Sequence, residues 1–439
     1  MSTSTLIAQF QDDDNPAKIN SPFSRFGLGD ISPFGYAGIE SSGGLFASFQ
    51  DPYSTNIINP ASLPSLAEMG FEIGLYANNT QYSEGGIKEN NWAGNIDYIG
   101  IAFPTKNILN ITLDQEVPDF KHGMSLSLSP YSLVGYDILD TSTDIGGNSI
   151  SDSFEGRGGT YRFLWGNGFQ YKNLSIGLNI GYLFGNIEQQ RSLTIDNVDF
   201  GFGNILYQKI NIRGFQWNIG AQYSHRFDNK NKSAKNQVII GVYGNSNTNT
   251  TLQSDEIVSR GRPFGADFIE IDTISIQTGF ETKGKMPAEF GFGASYYKTD
   301  PRTNLTKLRL GFNFSSTSWS KFILDNRDSN LDDGWQLTLG GEYLPFANAI
   351  KYRQRIRYRI GLKFATDPRI IQGEQLKTAA VTLGAGLPLI LPRGKVSLIN
   401  LSLEIGKINS NNSIDAAYGR LSVGFTLNDN TWFLKRKIN

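Results

Sequence analysis

Leu174-Ser-Ile-Gly-Leu-Asn-Ile-Gly-Tyr-Leu-Phe184 carries the pattern that decides the fold of this chain. Leu174, Ile176, Leu178, Ile180, Tyr182 and Phe184 share one parity. Ser175, Gly177, Asn179, Gly181 and, just beyond, Gly185 share the other, with Leu183 the exception. Strict alternation belongs to a β-strand with one apolar and one polar face. The run is long enough for a tilted strand to cross a bilayer, which takes about 9–11 residues. The same alternation returns through most of the chain and predicts a membrane-spanning barrel.

Composition agrees with that expectation. Only 39% of the 439 residues are hydrophobic and no window approaches the uninterrupted apolar run of a helical span, so a helical membrane protein is excluded. Barrel spans alternate and average out on hydropathy scales. The 29 Phe, 19 Tyr and 6 Trp would supply interfacial girdles, and the 48 Gly suit a crowded or water-lined interior. A formal charge of −1 gives no field for nucleic acid. The absence of Cys removes thiol catalysis, disulfides and thiolate metal sites together.

Working outward, alternating segments fall at 71–77, 92–103, 124–136, 160–172, 174–184, 207–227, 238–242, 290–296, 308–314, 335–343, 356–364, 381–387, 399–405 and 421–427. That is about 14 spans, and an even number brings both termini to the periplasmic side. Within 207–227 the parity changes at Gly214, where a strand bulge would restore one outward face. Segments 137–159 and 254–286 read as long outer loops, the second with a hairpin around 269–278. Residues 21–68 do not alternate; they combine turn chemistry with scattered apolar residues, as expected of a plug buried in the lumen or of a turn region packed under the barrel. Residues 1–20 are expected to be a flexible N-terminus or signal remnant, being short and without a basic start. The expected architecture is all-β: a transmembrane antiparallel up-and-down β-barrel of about 14 strands (69–427), an N-terminal hatch or plug (21–68) and a periplasmic C-terminal tail (428–439).

The strongest local signal is basic. Lys351, Arg353, Arg355, Arg357, Arg359 and Lys363 alternate with Ile356, Tyr358, Ile360 and Leu362. An Arg facing lipid at mid-membrane costs about 2–4 kcal/mol, so the basic parity must face the lumen. Glu72, Glu289, Glu342 and Glu404 share inward parity on other segments. Two uses follow: ion pairs joining wall and plug, with Asp30, Glu40 or Asp51 as plug-side partners, or capture of an anionic head group by bidentate Arg contacts. No catalytic residue is assigned, since His122 and His225 both fall near periplasmic strand ends rather than beside a Ser and a carboxylate at the outer rim. No metal site is assigned either. In the loop from Asp328 to Gly334 the Gly comes one place late for a calcium loop, and Leu339 stands where its Glu should be. No cofactor is implied.

With the strands in place, Asp51, Ser54, Asn59, Pro60, Ala61 and Leu63 resemble the hatch motif of the FadL/TodX-type outer-membrane transport family. Ser21–Gly29 (S-P-F-S-R-F-G-L-G), Pro130–Tyr136 and the tail beginning Trp432-Phe433 resemble its Bacteroidota branch. The resemblance spans about residues 21–439. It implies a plugged bacterial outer-membrane channel, in contact with lipid and lipopolysaccharide, through which hydrophobic compounds such as long-chain fatty acids diffuse. In family members a kink in one strand can open the wall sideways. Relatives in that branch also include barrels that are subunits of secretion or barrel-assembly machines, contacting other outer-membrane or periplasmic proteins through loops, wall or tail. Kinship favours the channel and the Arg-rich lumen and extended tail favour the subunit; the expected function is the channel, with the subunit as the alternative.

Overall fold

The structure, a computed structural model, describes residues 21–429 except 85–86, 107–117, 144–146, 196–201, 228–234, 265–266, 304, 325–326, 329–330, 372, 391–395 and 410–414. The expected N-terminal leader and most of the C-terminal tail, with Trp432 and Phe433, lie outside the described residues.

A short strand β1 (Asp30–Ile31) and one helical turn α1 (Ala37–Glu40) precede the wall. The wall begins with β2 (Met69–Glu84), β3 (Ile87–Pro104), β4 (Phe120–Thr143), β5 (Ser149–Tyr171), β6 (Leu174–Ile195) and β7 (Gly203–Phe227). Next come β8 (Lys235–Asn245) and β9 (Thr248–Phe264), then β10 (Asp267–Met286) and β11 (Glu289–Thr299), each pair forming one interrupted span. Then follow β12 (Thr306–Thr317), the two-residue strands β13 (Ile323–Leu324) and β14 (Arg327–Asp328), and β15 (Gly334–Tyr343). The wall ends with β16 (Arg357–Ile371), β17 (Glu374–Ile390), β18 (Val396–Asn409) and β19 (Asp415–Asp429). β19 pairs antiparallel with β2 from Asp429↔Met69 to Asp415↔Ser83, closing a barrel of 14 spans. Closure leaves no open edge around the belt where the strands pair, as hydrocarbon demands.

Alternation becomes burial. Along the opening stretch exposed and buried residues strictly alternate, and Leu174, Ile176, Leu178, Ile180, Tyr182 and Phe184 are the exposed set. Leu183, the exception, is fully buried inside the outer end with Leu28, Ile187, Ile212, Leu252 and Phe322.

Three boundaries move. First, 137–159 and 254–286 are largely strand: β4 runs to residue 143, β5 begins at residue 149, and β9 and β10 pair antiparallel along their length. Spans β4 to β7 are 22 to 25 residues long, twice what a bilayer needs; their outer halves extend past the lipid and enclose an apolar cluster that includes Val134, Tyr136, Ile187, Ile210 and Ile212, so nothing there enforces an apolar outer and polar inner face. Second, Gly214 is not a bulge in its pairing with β6, whose register runs unbroken through Leu183↔Gly214. It lies where β7 changes its other neighbour from β8 to β9, but the parity does not change there: even positions from Ile210 to Ser224 stay on the inner face, and Ile210 and Ile212 are buried in the apolar cluster of the outer end. Third, Asn428 and Asp429 belong to the last strand rather than to the tail.

Candidate functional site

The chain from Ser21 to Leu66 runs through the lumen, and Asp51, Ser54, Asn59, Pro60, Ala61 and Leu63 are all buried there. Asn59 holds this segment together locally. Its amide Nδ2 donates to the Ala47 carbonyl at 2.7 Å, and its Oδ1 accepts from the Ala61 N–H at 3.2 Å, capping the short helix Pro60–Ser65. The wall meets the segment through glycine. A Cβ on Gly241 would stand 1.8 Å from the Ala47 carbonyl oxygen, and one on Gly220 1.9 Å from Asn59 Oδ1. Only the bare backbone fits those inward positions.

A buried charge cluster ties this segment to the wall. Asp51 Oδ2 accepts from Arg357 Nη1 at 2.6 Å, while its Oδ1 accepts from the Tyr53 N–H. Arg357 also lies 3.7 Å from Glu342, which accepts from Arg359 Nε at 2.6 Å and stands 3.4 Å from Arg309 Nη2. Arg359 continues to Asn400 at 2.8 Å, and the Arg309 guanidinium lies over the Phe49 ring at 4.2 Å. Three guanidiniums thus share two carboxylates, and the remaining positive charge is met by a ring face and amides.

A second group lies alongside. Lys363 donates to Glu404 at 3.1 Å, Tyr418 donates to the same carboxylate at 2.6 Å, and Arg420 pairs with Asp97 at 2.8 Å. Into it projects Glu40 of α1, whose carboxyl is pushed up to about 8 by burial and by Asp97, against the pull of Arg420. Elsewhere Arg369 binds both Asp30 and Asp367, and Glu72 accepts from the Thr55 N–H at 2.8 Å and from Thr426 at 3.2 Å. Toward the outer end a cavity of about 430 Å³ is lined by Phe34, Glu40, Tyr131, Arg162, Glu289 and Trp319. Arg162 lies over the Phe34 ring there at 3.1 Å.

Of the expected basic ladder, Arg357, Arg359 and Lys363 point inward, but Arg353 and Arg355 do not continue it. The strand begins only at Arg357; Arg353 sits exposed in the helical turn Tyr352–Gln354 and Arg355 closes that turn, so parity has no meaning for them. Arg309 and Arg420 were missed although each is followed by an exposed leucine, Leu310 and Leu421. Asp97 was hidden for a different reason. It is the bulged residue between the pairs Gly74↔Tyr98 and Leu75↔Ile96, so Ile96 and Ile101 face outward on opposite parity.

The wall is also parted. β3 and β4 pair only from Ile99↔Leu128 to Pro104↔Gly123, and beyond that β3 keeps β2 and β4 keeps β5. Pro130, with no N–H, and the bulge between Pro130 and Ser132 bend β4 away at that level. The lumenal segment covers the freed edge. Asp30 and Ile31 pair with Leu133 and Ser132, Ser32 N–H donates to the Tyr131 carbonyl at 3.0 Å, and Ser21 N–H to Gly135 at 2.8 Å. Gly29 makes the approach with φ +94°, where a Cβ would strike the Leu133 carbonyl.

A family model described as BamG matches residues 6–439. Among solved structures, the Pseudomonas putida toluene transporter TodX has a TM-score of 0.55 at 15% identity, covering 91% of this chain and 99% of its own. A Pseudomonas aeruginosa FadL homologue has 0.53 at 10%, and the Ralstonia pickettii toluene transporter TbuX 0.51 at 13%, with the same coverage. At these identities the likeness is one of fold. No curated protein is matched.

Proposed function

The chain belongs to the BamG family, and from that premise we propose that it is a non-catalytic, plugged barrel of the bacterial outer membrane that serves as a subunit of a larger barrel-assembly or secretion complex. The observation that carries this reading is the buried cluster of Asp51, Arg357, Glu342, Arg359 and Arg309. A conduit for hydrophobic compounds needs a continuous apolar path. Here the lumen is crossed by desolvated ion pairs and by backbone packed against wall glycines. A rigid, filled barrel suits a part that presents its surfaces to partners and lipid. The residues from Ser21 to Leu66 act as its plug, and the C-terminal tail is a second contact on the periplasmic side.

The parted wall between β3 and β4 favours the other reading, diffusion of a hydrophobic ligand sideways into the membrane. Purification in mild detergent with mass spectrometry separates the two. Large partners in fixed stoichiometry support the subunit, whereas a lone barrel carrying lipid overturns it in favour of the channel.

A further inference from the structure

We infer that the turn joining β15 to β16, residues 344–356, is a docking surface for a phospholipid of net negative headgroup in the periplasmic leaflet of the membrane. The inference rests on the outer-membrane placement proposed above and not on the subunit role.

The turn holds Arg353 and Arg355, the two members of the expected basic ladder that the lumen does not use. Arg357, Arg359 and Lys363 each meet a carboxylate inside the barrel. Lys351, Arg353 and Arg355 meet none among the described residues, and 344–356 contains no Asp or Glu. Lys307 of β12 adds a fourth cation. Its backbone carbonyl accepts from the Leu344 N–H at 2.8 Å, and its ammonium lies 5.1 Å from the centre of the Phe346 ring. The Arg355 guanidinium lies 5.2 Å from the centre of the Tyr352 ring, and its Nε is buried with no hydrogen-bond partner among the described residues.

Placement selects the occupant. At this end β15 and β16 carry outward tyrosines, Tyr343 and Tyr358, paired across the two strands, which is the girdle position where a barrel wall meets headgroups. The Tyr358 hydroxyl donates to the Arg353 carbonyl at 2.9 Å, and the Tyr352 hydroxyl to the Pro388 carbonyl at 3.3 Å. Because Tyr358 points outward, the turn is held on the lipid side of the rim. There it presents Ile350, 99% exposed, and Phe346, 58% exposed. Apolar side chains at this level enter the boundary of headgroup and acyl chain, while Lys and Arg beside them reach the phosphates. With four cations and no acid of its own, the turn favours a headgroup of net negative charge over a zwitterionic one. The same residues standing free in the periplasm would need an acidic protein to cover them; at the girdle the bilayer itself supplies both the apolar phase and the charge.

The test uses the full-length protein in vesicles of phosphatidylcholine with or without phosphatidylglycerol. The chain has no Cys, so Ile350→Cys carries a single environment-sensitive fluorophore. With phosphatidylglycerol present, the label should be quenched by nitroxide-bearing lipid and shielded from acrylamide in the water. In native mass spectrometry the wild type should retain phosphatidylglycerol about tenfold more strongly than phosphatidylcholine. The variant K351Q/R353Q/R355Q should lose that preference, with heat-modifiable gel mobility showing that its barrel is folded. Equal retention of the two lipids, a preference unchanged in the triple variant, or a label open to acrylamide would overturn the inference. So would a stoichiometric protein cross-linked to residue 350 in the native purification, which would assign the turn to a protein partner and leave the subunit reading standing. A wild-type protein that inserts into no vesicle would remove the outer-membrane placement and the inference with it.

Discussion

Arg357 ties the lumenal segment to the wall through Asp51, and Asp51 and Glu342 are both desolvated around it. Removing one partner of a buried pair leaves an uncompensated charge, typically at a cost of about 3–5 kcal/mol. Arg357→Gln should therefore loosen the lumenal segment while the outer wall stays closed, read as protease cleavage between residues 40 and 60 with unchanged heat-modifiable mobility. Equal resistance to protease would show that the pair does not hold the segment. Glu40 adds a pH dependence. Its carboxyl lies among Asp97, Arg420, Glu404 and Lys363 and is raised to about 8, so the seated state binds a proton that the released state gives up. That contribution is complete below the ordinary carboxylate range and is lost as pH rises through about 8. Protection of the α1 amides against hydrogen exchange, taken relative to the intrinsic base-catalysed rate at each pH, should be lower at pH 9 than at pH 6, and Glu40→Gln should abolish the difference. A pH effect that persists in that variant would assign it to another group. The inward parity of Arg357, Arg359 and Lys363 was legible because lipid forbids the alternative. Their partners Asp51 and Glu342 lie 306 and 17 residues away in sequence, and no local pattern joins them.

Among the elements, inward glycines and the kinked strand β4 decide how the plug sits. Gly241→Val places a side chain where the Ala47 carbonyl now lies, so the plug should be displaced rather than the wall. Single-channel recordings should then show ion conductance well above wild type, and silent recordings would mean the segment relaxes around the side chain. The seam offers a sharper separation of the two functions. Ile31 and Ser132 are paired across β1 and β4. An I31C/S132C cross-link that forms on oxidation should leave a subunit's partner association unchanged, whereas a sideways-opening channel would lose ligand uptake in the oxidised form. Strand existence was readable wherever one face meets lipid. Residues 137–159 and 254–286 read as loops because beyond the bilayer no lipid imposes alternation, and hydrogen bonding to a neighbour leaves no periodic mark.

For the whole molecule, closure of β19 on β2 and filling of the lumen make one body from segments that could not persist separately. Deleting residues 21–68 should keep a heat-modifiable barrel but open it to ions, since apart from the β1–β4 contact the long strands pair with one another and β19 closes on β2. A truncated barrel that fails to close would show that the plug is part of the wall's stability.

The sequence by itself determined the span count, the lumenal face of most spans and the inward direction of Arg357, Arg359 and Lys363, because contact with hydrocarbon imposes a period of two. Tertiary structure alone decided which carboxylate meets which guanidinium and that β1 covers the parted edge of β4. Those outcomes depend on which distant backbones lie side by side, and in a wet or enclosed setting nothing in the local order of residues records the neighbour.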